Sequence, residues 1–512
     1  MRSLFRVFQK TRFFFCGKEL SPFNEARYHA LLEGLEIIEI TLSGLVVDNE
    51  KYRLDSEFFS KKFTHTYTRI KSNPYIRLID AIEILTDFHA NGSYESIAQV
   101  FELLDSKNYA YMIRSTDLES NNFTDNVKYI TEKAYNYLNK SKLFGGELII
   151  NKIGSPGKSY LCPNLDVPMS LGMNLFMIRL RKNIDFDEKY LWVYLNSKYG
   201  NAMIMRKVNG TVPLTIDKEA IKSLYISKFD KFFYQKISSI VELSETNKIK
   251  FKFKYTQAEN LLLETLGLNN FQPSTENTNI KSFSESFLNS GRLDAEYYQP
   301  KYEEIIKIIQ AKQYQTLGSL VNIYKSIEPG SDAYQDTGIP FIRVSNLAKF
   351  GLSQPEIYLD EVLYKDIKMP KKDMILLSKD GSVGIAYKVT EDLYGITSGA
   401  ILHLIITNKI ILADYLTLML NSIIVKLQAE RDAGGSIIQH WKLSEIEQVL
   451  IPIIDLDTQQ KIADLVQQSF ALKQQSEQLL DIAKRAVEIA IEQNEDVAMQ
   501  FIQENTQEVY LS

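Results

Sequence analysis

The chain repeats itself, and that repetition constrains its fold more than any other feature. Tyr52-Arg53-Leu54-Asp55-Ser56-Glu57-Phe58-Phe59 is echoed by Gly291-Arg292-Leu293-Asp294-Ala295-Glu296-Tyr297-Tyr298. Lys152-Ile153-Gly154-Ser155-Pro156-Gly157 is echoed by Lys379-Asp380-Gly381-Ser382-Val383-Gly384, and Ile113-Arg114 by Ile342-Arg343. Leu195-Asn196-Ser197, Gly210 and Gln235-Lys236-Ile237 recur at Leu420-Asn421-Ser422, Gly435 and Gln460-Lys461-Ile462, all offset by 225 residues. So long a period makes each copy a whole domain with its connector and not a solenoid repeat. A pseudo-twofold duplication of this kind suits a target made of two separated parts.

Each copy has the same texture. Glu147–Ile150 and Met374–Leu377, then Leu175–Ile178 and Ile401–Ile406, are short apolar runs bounded by Gly, Pro and charge, and read as buried strands. Tyr415–Ser422 and its counterpart from Tyr190 are apolar at helical spacing. The expected class is mixed α/β (α+β). Each copy closes in a long helix, from near Phe233 and near Asp457. In the second, Leu465, Leu472, Leu479 and Ala486 recur every seven residues, with Ile462, Ser469, Ser476, Ala483 and Ala490 in the companion position. Small residues there allow close approach of a partner helix, for which Ile237, Ile240, Val241, Ala258 and Leu261 supply an apolar face. A lone helix packed on its own domain is the competing arrangement.

The expected organisation is an N-terminal segment (1–50), a first domain (51–230), a first helix (231–268), a polar linker (269–290), a second domain (291–455) and a second helix (456–512). The Arg- and Phe-rich stretch Met1–Phe15 is too broken for a signal sequence and reads as a strand or an over-extended start.

Composition excludes several classes. With 45% hydrophobic and 24% charged residues the chain is globular. Cys16 and Cys162 alone build neither a disulfide framework nor a zinc cluster, and a reducing cytoplasm fits. No apolar run reaches the roughly 20 residues of a membrane helix. A net charge of −5 requires any nucleic-acid surface to be a local concentration of cations. Gly157-Lys158-Ser159 is no phosphate loop, because Lys152 stands where the motif needs glycine. Asn73-Pro74-Tyr75 lacks the second proline of an amino-methyltransferase motif, the histidines lack metal spacing, and no Gly-x-Ser-x-Gly elbow occurs. No catalytic residue, metal or cofactor is expected.

The Arg292-Leu293-Asp294-Ala295-Glu296-Tyr297-Tyr298 phrase opening a copy, and Ile451-Pro452-Ile453-Ile454-Asp455-Leu456-Asp457-Thr458-Gln459-Gln460-Lys461-Ile462-Ala463 leading into the last helix, resemble a Type I restriction-modification specificity subunit. The resemblance spans nearly the whole chain beyond about residue 30. It implies two target recognition domains joined by long antiparallel coiled-coil helices and a bipartite double-stranded DNA target. It also implies methyltransferase subunits, two of them, and restriction subunits as partners that supply the chemistry. About 40 helical residues extend about 60 Å, more than the 34 to 36 Å between major-groove sites one turn apart. The first copy departs from the pattern, with Ile226-Ser227-Lys228-Phe229-Asp230-Lys231 at the corresponding place.

Candidate DNA contacts are the paired Gly-Ser-x-Gly loops, with Ser155, Lys158, Lys379 and Ser382. Plain strand-to-strand turns explain those loops equally. A second pair is Gly210–Leu214, with Thr211, and Gly435–His440, with Ser436, Gln439 and His440. Arg114 and Arg343 are placed to reach guanine or to form structural ion pairs. Helix packing is assigned to Ile237, Ile240, Ile462, Leu465, Leu472 and Leu479. Two other functions compete: a coiled-coil adaptor that binds no DNA, and a self-contained restriction or modification enzyme with a diverged centre.

Overall fold

The computed structural model describes residues 43–124, 126–210, 212–434 and 439–511, with 14–15, 18–19, 24, 26–27, 30 and 40–41 before them. The chain forms two units: residues up to Glu245 with Gln475–Ser512, and Thr246–Gln474.

The first unit runs α1 (Lys61–Lys71), β1 (Tyr75–Arg77), β2 (Ile82–Asp87), β3 (Ala110–Ile113), β4 (Tyr129–Ile130), β5 (Lys142–Leu143), β6 (Leu148–Asn151), β7 (Ser159–Leu161), β8 (Met169–Leu171) and β9 (Leu175–Leu180). Then come α2 (Glu188–Asn196), α3 (Lys198–Lys207), β10 (Tyr225–Ser227) and the start of α4 (Lys231–Thr265). Its main sheet has the order β2, β9, β6, β7, a second sheet β4, β3, β8, β5, and β10 pairs with β1.

The second unit runs α5 (Pro300–Gln310), β11 (Tyr314–Thr316), β12 (Val321–Lys325), β13 (Ile339–Ile342), β14 (Tyr358–Leu359), β15 (Ile375–Ser378), β16 (Ala386–Lys388), β17 (Ile396–Thr397) and β18 (Ile401–Ile406). It continues with α6 (Ala413–Asn421), α7 (Ile423–Asp432), β19 (Leu450–Pro452) and α8 (Leu456–Glu492). The main sheet is β12, β18, β15, β16, the second sheet β14, β13, β17, and β11 pairs with β19. The main sheet repeats the order of the first unit's, and the second sheet repeats it in three strands, including the parallel pairs β3 with β8 and β13 with β17, but lacks a counterpart of β5. The duplication is one of topology as well as of sequence.

The apolar runs follow from the layering. Leu148 and Ile150 of β6, with Phe176 and Ile178 of β9, pack toward Tyr190, Leu191 and Tyr194 of α2. Their neighbours Ile149, Leu175 and Met177 pack toward Tyr111, Ile113 and Leu171 of the second sheet. A strand covered on both faces has no solvent side and loses the polar alternation. Ile375 and Leu377 against Leu376, and Leu402 and Leu404 against Ile401, divide in the same way in the second unit.

The repeated Arg-Leu-Asp phrase is a clamp. Arg53 forks onto Asp55 at 2.7 and 2.8 Å and donates through Nη1 to the carbonyls of Arg206 and Val208, where α3 ends. Arg292 forks onto Asp294 at 2.9 and 2.6 Å and donates to the Asp432 carbonyl at the end of α7. Each guanidinium satisfies helix-terminal carbonyls that have no partner within the helix.

β10 contains Ile226 and Ser227 and pairs with β1 as β19 pairs with β11. The first copy therefore reaches its long helix by the same strand without the prolines. In the first unit, Ile237, Ile240 and Val241 of α4 pack with Leu479, Ile482, Ala483 and Ala486 of α8. In the second, Ile462 and Val466 of α8 share a core with Tyr255, Ala258 and Leu262 of α4, with Leu465 half-buried against it. Leu472 is half-buried. The stretch 456–512 breaks at Gln493 and Asn494, and Asn494 Oδ1 caps Val497 of a further helix, α9 (Glu495–Leu511). Ala498, Ile502 and Val509 of α9 enter the first unit's core, and Glu495 accepts from the Asp230 amide ahead of α4. Among the described residues, no helix is long and apolar enough to cross a membrane.

Candidate nucleic-acid interface

Each Gly-Ser-x-Gly segment turns the chain between paired strands, β6 to β7 and β15 to β16. Gly154 and Gly157 both have φ +88°, and Gly381 and Gly384 have +76° and +86°, values that favour glycine. The Gly157 amide donates to Asn151 and the Gly384 amide to Ser378, each at 2.9 Å.

The two loop pairs that the sequence analysis singles out separately come together within each unit. In the first, the Gly154 amide donates to the Leu214 carbonyl at 3.2 Å and Ile216 to Lys152 at 3.0 Å. Asn209 and Thr215 exchange backbone bonds of 2.9 and 2.8 Å, closing the loop between them. In the second, Gly381 donates to Gln439 and Trp441 to Lys379, each at 2.9 Å, while Gly434 and His440 exchange bonds of 3.1 and 2.7 Å. Thr211 and Ser436 lie outside the described residues.

A carboxylate sits against the loops in both units. Asp87 accepts from Lys152 at 3.0 Å and Lys218 at 2.8 Å. Burial pushes its pKa up, but the two ammonium groups outweigh this and hold it below the ordinary 3.8. Asp380 is likewise held down against burial by Lys379 and by His440, whose Nδ1 is 2.9 Å away.

The candidates therefore differ in what they offer to a ligand. Lys379 is largely covered and committed to Asp380, whereas Lys158 is 61% exposed and 3.9 Å from Glu119. Ser155 is half-buried; Ser382 is exposed, and its carbonyl accepts from Ser378 Oγ. Gln439 and His440 are exposed at the second loop. Arg114 forks onto the buried Asp117 at 3.1 and 2.6 Å and donates to the Asn126 carbonyl. Arg343 stands at the same topological position, where its own amide donates to Asn346 Oδ1, but its guanidinium has no ion pair among the described residues. Val212 lies within the candidate segment Gly210–Leu214, where Thr211 alone is singled out, and is 92% exposed. An exposed valine between Thr211 and Pro213 carries no signal in sequence, since nothing there shows which way it points.

Among the described residues, no cluster of three or more His, Cys, Asp or Glu is placed to hold a metal. The Cys162 thiol is buried, and burial pushes its pKa far up. Asn73 donates to the Ile491 carbonyl and the Pro74 carbonyl accepts from Lys228, so the Asn-Pro-Tyr segment serves the fold.

The two units share the order of their main sheets, and in each an adjoining turn and loop carry different side chains. Residues 311–481 match the family of the Type I restriction modification DNA specificity domain. Among solved structures, the Type I restriction-modification S subunit from M. genitalium matches at 14% identity over 84% of this chain and 95% of that one, with a TM-score of 0.38. The HsdS subunit from Thermoanaerobacter tengcongensis matches at 13% identity over 82% of this chain and 95% of that one, with a TM-score of 0.26. No curated protein sequence matches the chain.

Proposed function

We propose that the chain is the DNA sequence-recognition subunit of a Type I restriction-modification complex, with each unit reading one half of a split target. One observation carries this reading: a specificity domain matched over 311–481 has the strand order of its main sheet repeated in the first unit, with other side chains at the same loops. Keeping the scaffold while varying the loop residues is what two readers of different half-sites require. Candidate contacts are Lys158, Ser155 and Thr211 in the first unit and Arg343, Ser382, Ser436, Gln439 and His440 in the second. Lys379 and Arg114, committed to Asp380 and Asp117, act by holding their loops.

Helices α4 and α8, of 35 and 37 residues, are the spacer. At 1.5 Å per residue they extend about 50 to 55 Å, beyond the 34 to 36 Å of one DNA turn. Methyltransferase subunits, two per chain, and restriction subunits supply the chemistry. The test is selection of duplexes from a random pool by this chain purified with its methyltransferase. A split motif whose one half changes when 439–440 are replaced supports the reading; a continuous motif, or none, overturns it.

A further inference from the structure

A cleft of about 1010 Å³ in the first unit lies between α1 and the start of α3, away from the loops described above. Among the described residues its lining includes Lys62, His65, Arg69 and Lys198 and no Asp or Glu. The loop 209–215 follows the other end of α3, whose ten residues span about 15 Å.

The charges of this cleft are unevenly compensated. Lys198 pairs with Glu492 at 2.6 Å and its amide donates to Glu488. Both of those carboxylates are also held by Arg485, at 3.1 and 3.3 Å. Lys62, His65 and Arg69 have no ion pair or side-chain hydrogen bond among the described residues. They recur on one face of α1 at spacings of three and four, a row about 10 Å long.

The fold does not require this row. Counting from the Arg-Leu-Asp clamp, the corresponding positions of α5 are Lys301, Glu304 and Ile308, and Ile423 starts α7 where Lys198 starts α3. Lys301 is paired with Glu430 at 3.6 Å, and Glu304 accepts from the Ser274 amide. The same architecture thus stands with one paired lysine, an acid and two isoleucines. Lys62 and Arg69 thus bring two cations without a carboxylate partner among the described residues to one wall of the cleft, with the His65 ring between them, and an anion seated there would pair with both.

We propose that the α1/α3 cleft of the first unit is a second binding site, one that takes phosphate groups through Lys62, His65 and Arg69. The two sources of that chemistry are a nucleic-acid backbone and a free phosphate compound.

The test is calorimetric titration of the full chain with inorganic pyrophosphate, repeated with Lys62→Ala/Arg69→Ala and with the milder Lys62→Gln and Arg69→Gln single variants. Saturable binding that the double variant weakens by about tenfold or more, at unchanged melting temperature, is expected. A salt titration of duplex binding then separates the sources. A log–log slope reduced by about 2 in the double variant assigns the site to the DNA backbone. An unchanged slope beside lost pyrophosphate binding assigns it to a free phosphate compound. Variant-sensitive pyrophosphate binding by a chain that binds no duplex supports the site while sinking the DNA reading. No saturable pyrophosphate binding, or binding unchanged in all three variants, overturns the proposal.

Discussion

The hydroxyls of Ser244 and Ser476 lie 2.9 Å apart, buried between α4 and α8 in the first unit. Ser244 also reaches the Ser476 carbonyl at 2.8 Å, so close approach of the helix backbones and satisfaction of two polar groups come from one pair of small residues. Ser476→Leu is expected to overpack this seam and cost about 1–3 kcal/mol. Ser476→Ala keeps the close approach and removes one bond, costing about 1 kcal/mol. Denaturant unfolding of the two variants checks the order.

Arg114 and Arg343 occupy one topological position and are expected to fail differently. Arg114→Ala leaves the buried Asp117 without its fork and lowers stability by about 2–3 kcal/mol. Arg343→Ala breaks no ion pair among the described residues, leaves the melting temperature in place, and weakens binding of the target duplex by about 1–3 kcal/mol. Paired melting and duplex-binding curves decide it.

Glycine substitutions in the two turns separate backbone strain from crowding. A Cβ on Gly157 would stand 2.1 Å from Ile204 Cγ2 and at positive φ, whereas one on Gly381 meets open space and only the φ cost. Gly381→Ala is expected to cost about 1 kcal/mol and Gly157→Ala about 2–4 kcal/mol in all. Equal losses in unfolding experiments would contradict the close packing of Gly157 on α3.

His403 of β18 is buried, with Nε2 2.7 Å from Thr397 Oγ1, and burial lowers its pKa from 6.5 to about 4. The fold holds the neutral ring, so its stabilisation is present in full above pH 6.5 and is lost as the pH falls toward 4. That is on the order of 3 kcal/mol of the second unit's stability. His403→Gln is expected to flatten the loss over this window, as read from urea midpoints at pH 7, 5.5 and 4.

The duplication, the buried strands and the long helices were legible because each leaves a periodic or repeated trace. β6 and β9 read as continuous apolar runs because both faces are covered, and Ser469 and Ser476 stood out because they interrupt apolar residues at heptad spacing. The role of the Arg-Leu-Asp phrase was not legible, since its partners are carbonyls about 140 to 155 residues away. Nor did sequence separate Lys158 from Lys379 or Arg343 from Arg114: Asp380 and Asp117, which hold Lys379 and Arg114, stand one and three residues away, but sequence proximity does not show which side chains turn toward each other. The break at Gln493 and Asn494 was missed because apolar spacing runs on through Ala498 and Ile502 on a helix that turns to another partner.

The most direct measurement is the methylation pattern of genomic DNA, mapped by single-molecule sequencing with and without this chain beside its methyltransferase. One split adenine-containing motif that appears only when the chain is present, and of which one half alone changes on replacing Gln439 and His440, is the predicted result. Methylation that is unchanged by removing the chain would contradict its role as the sequence-reading subunit.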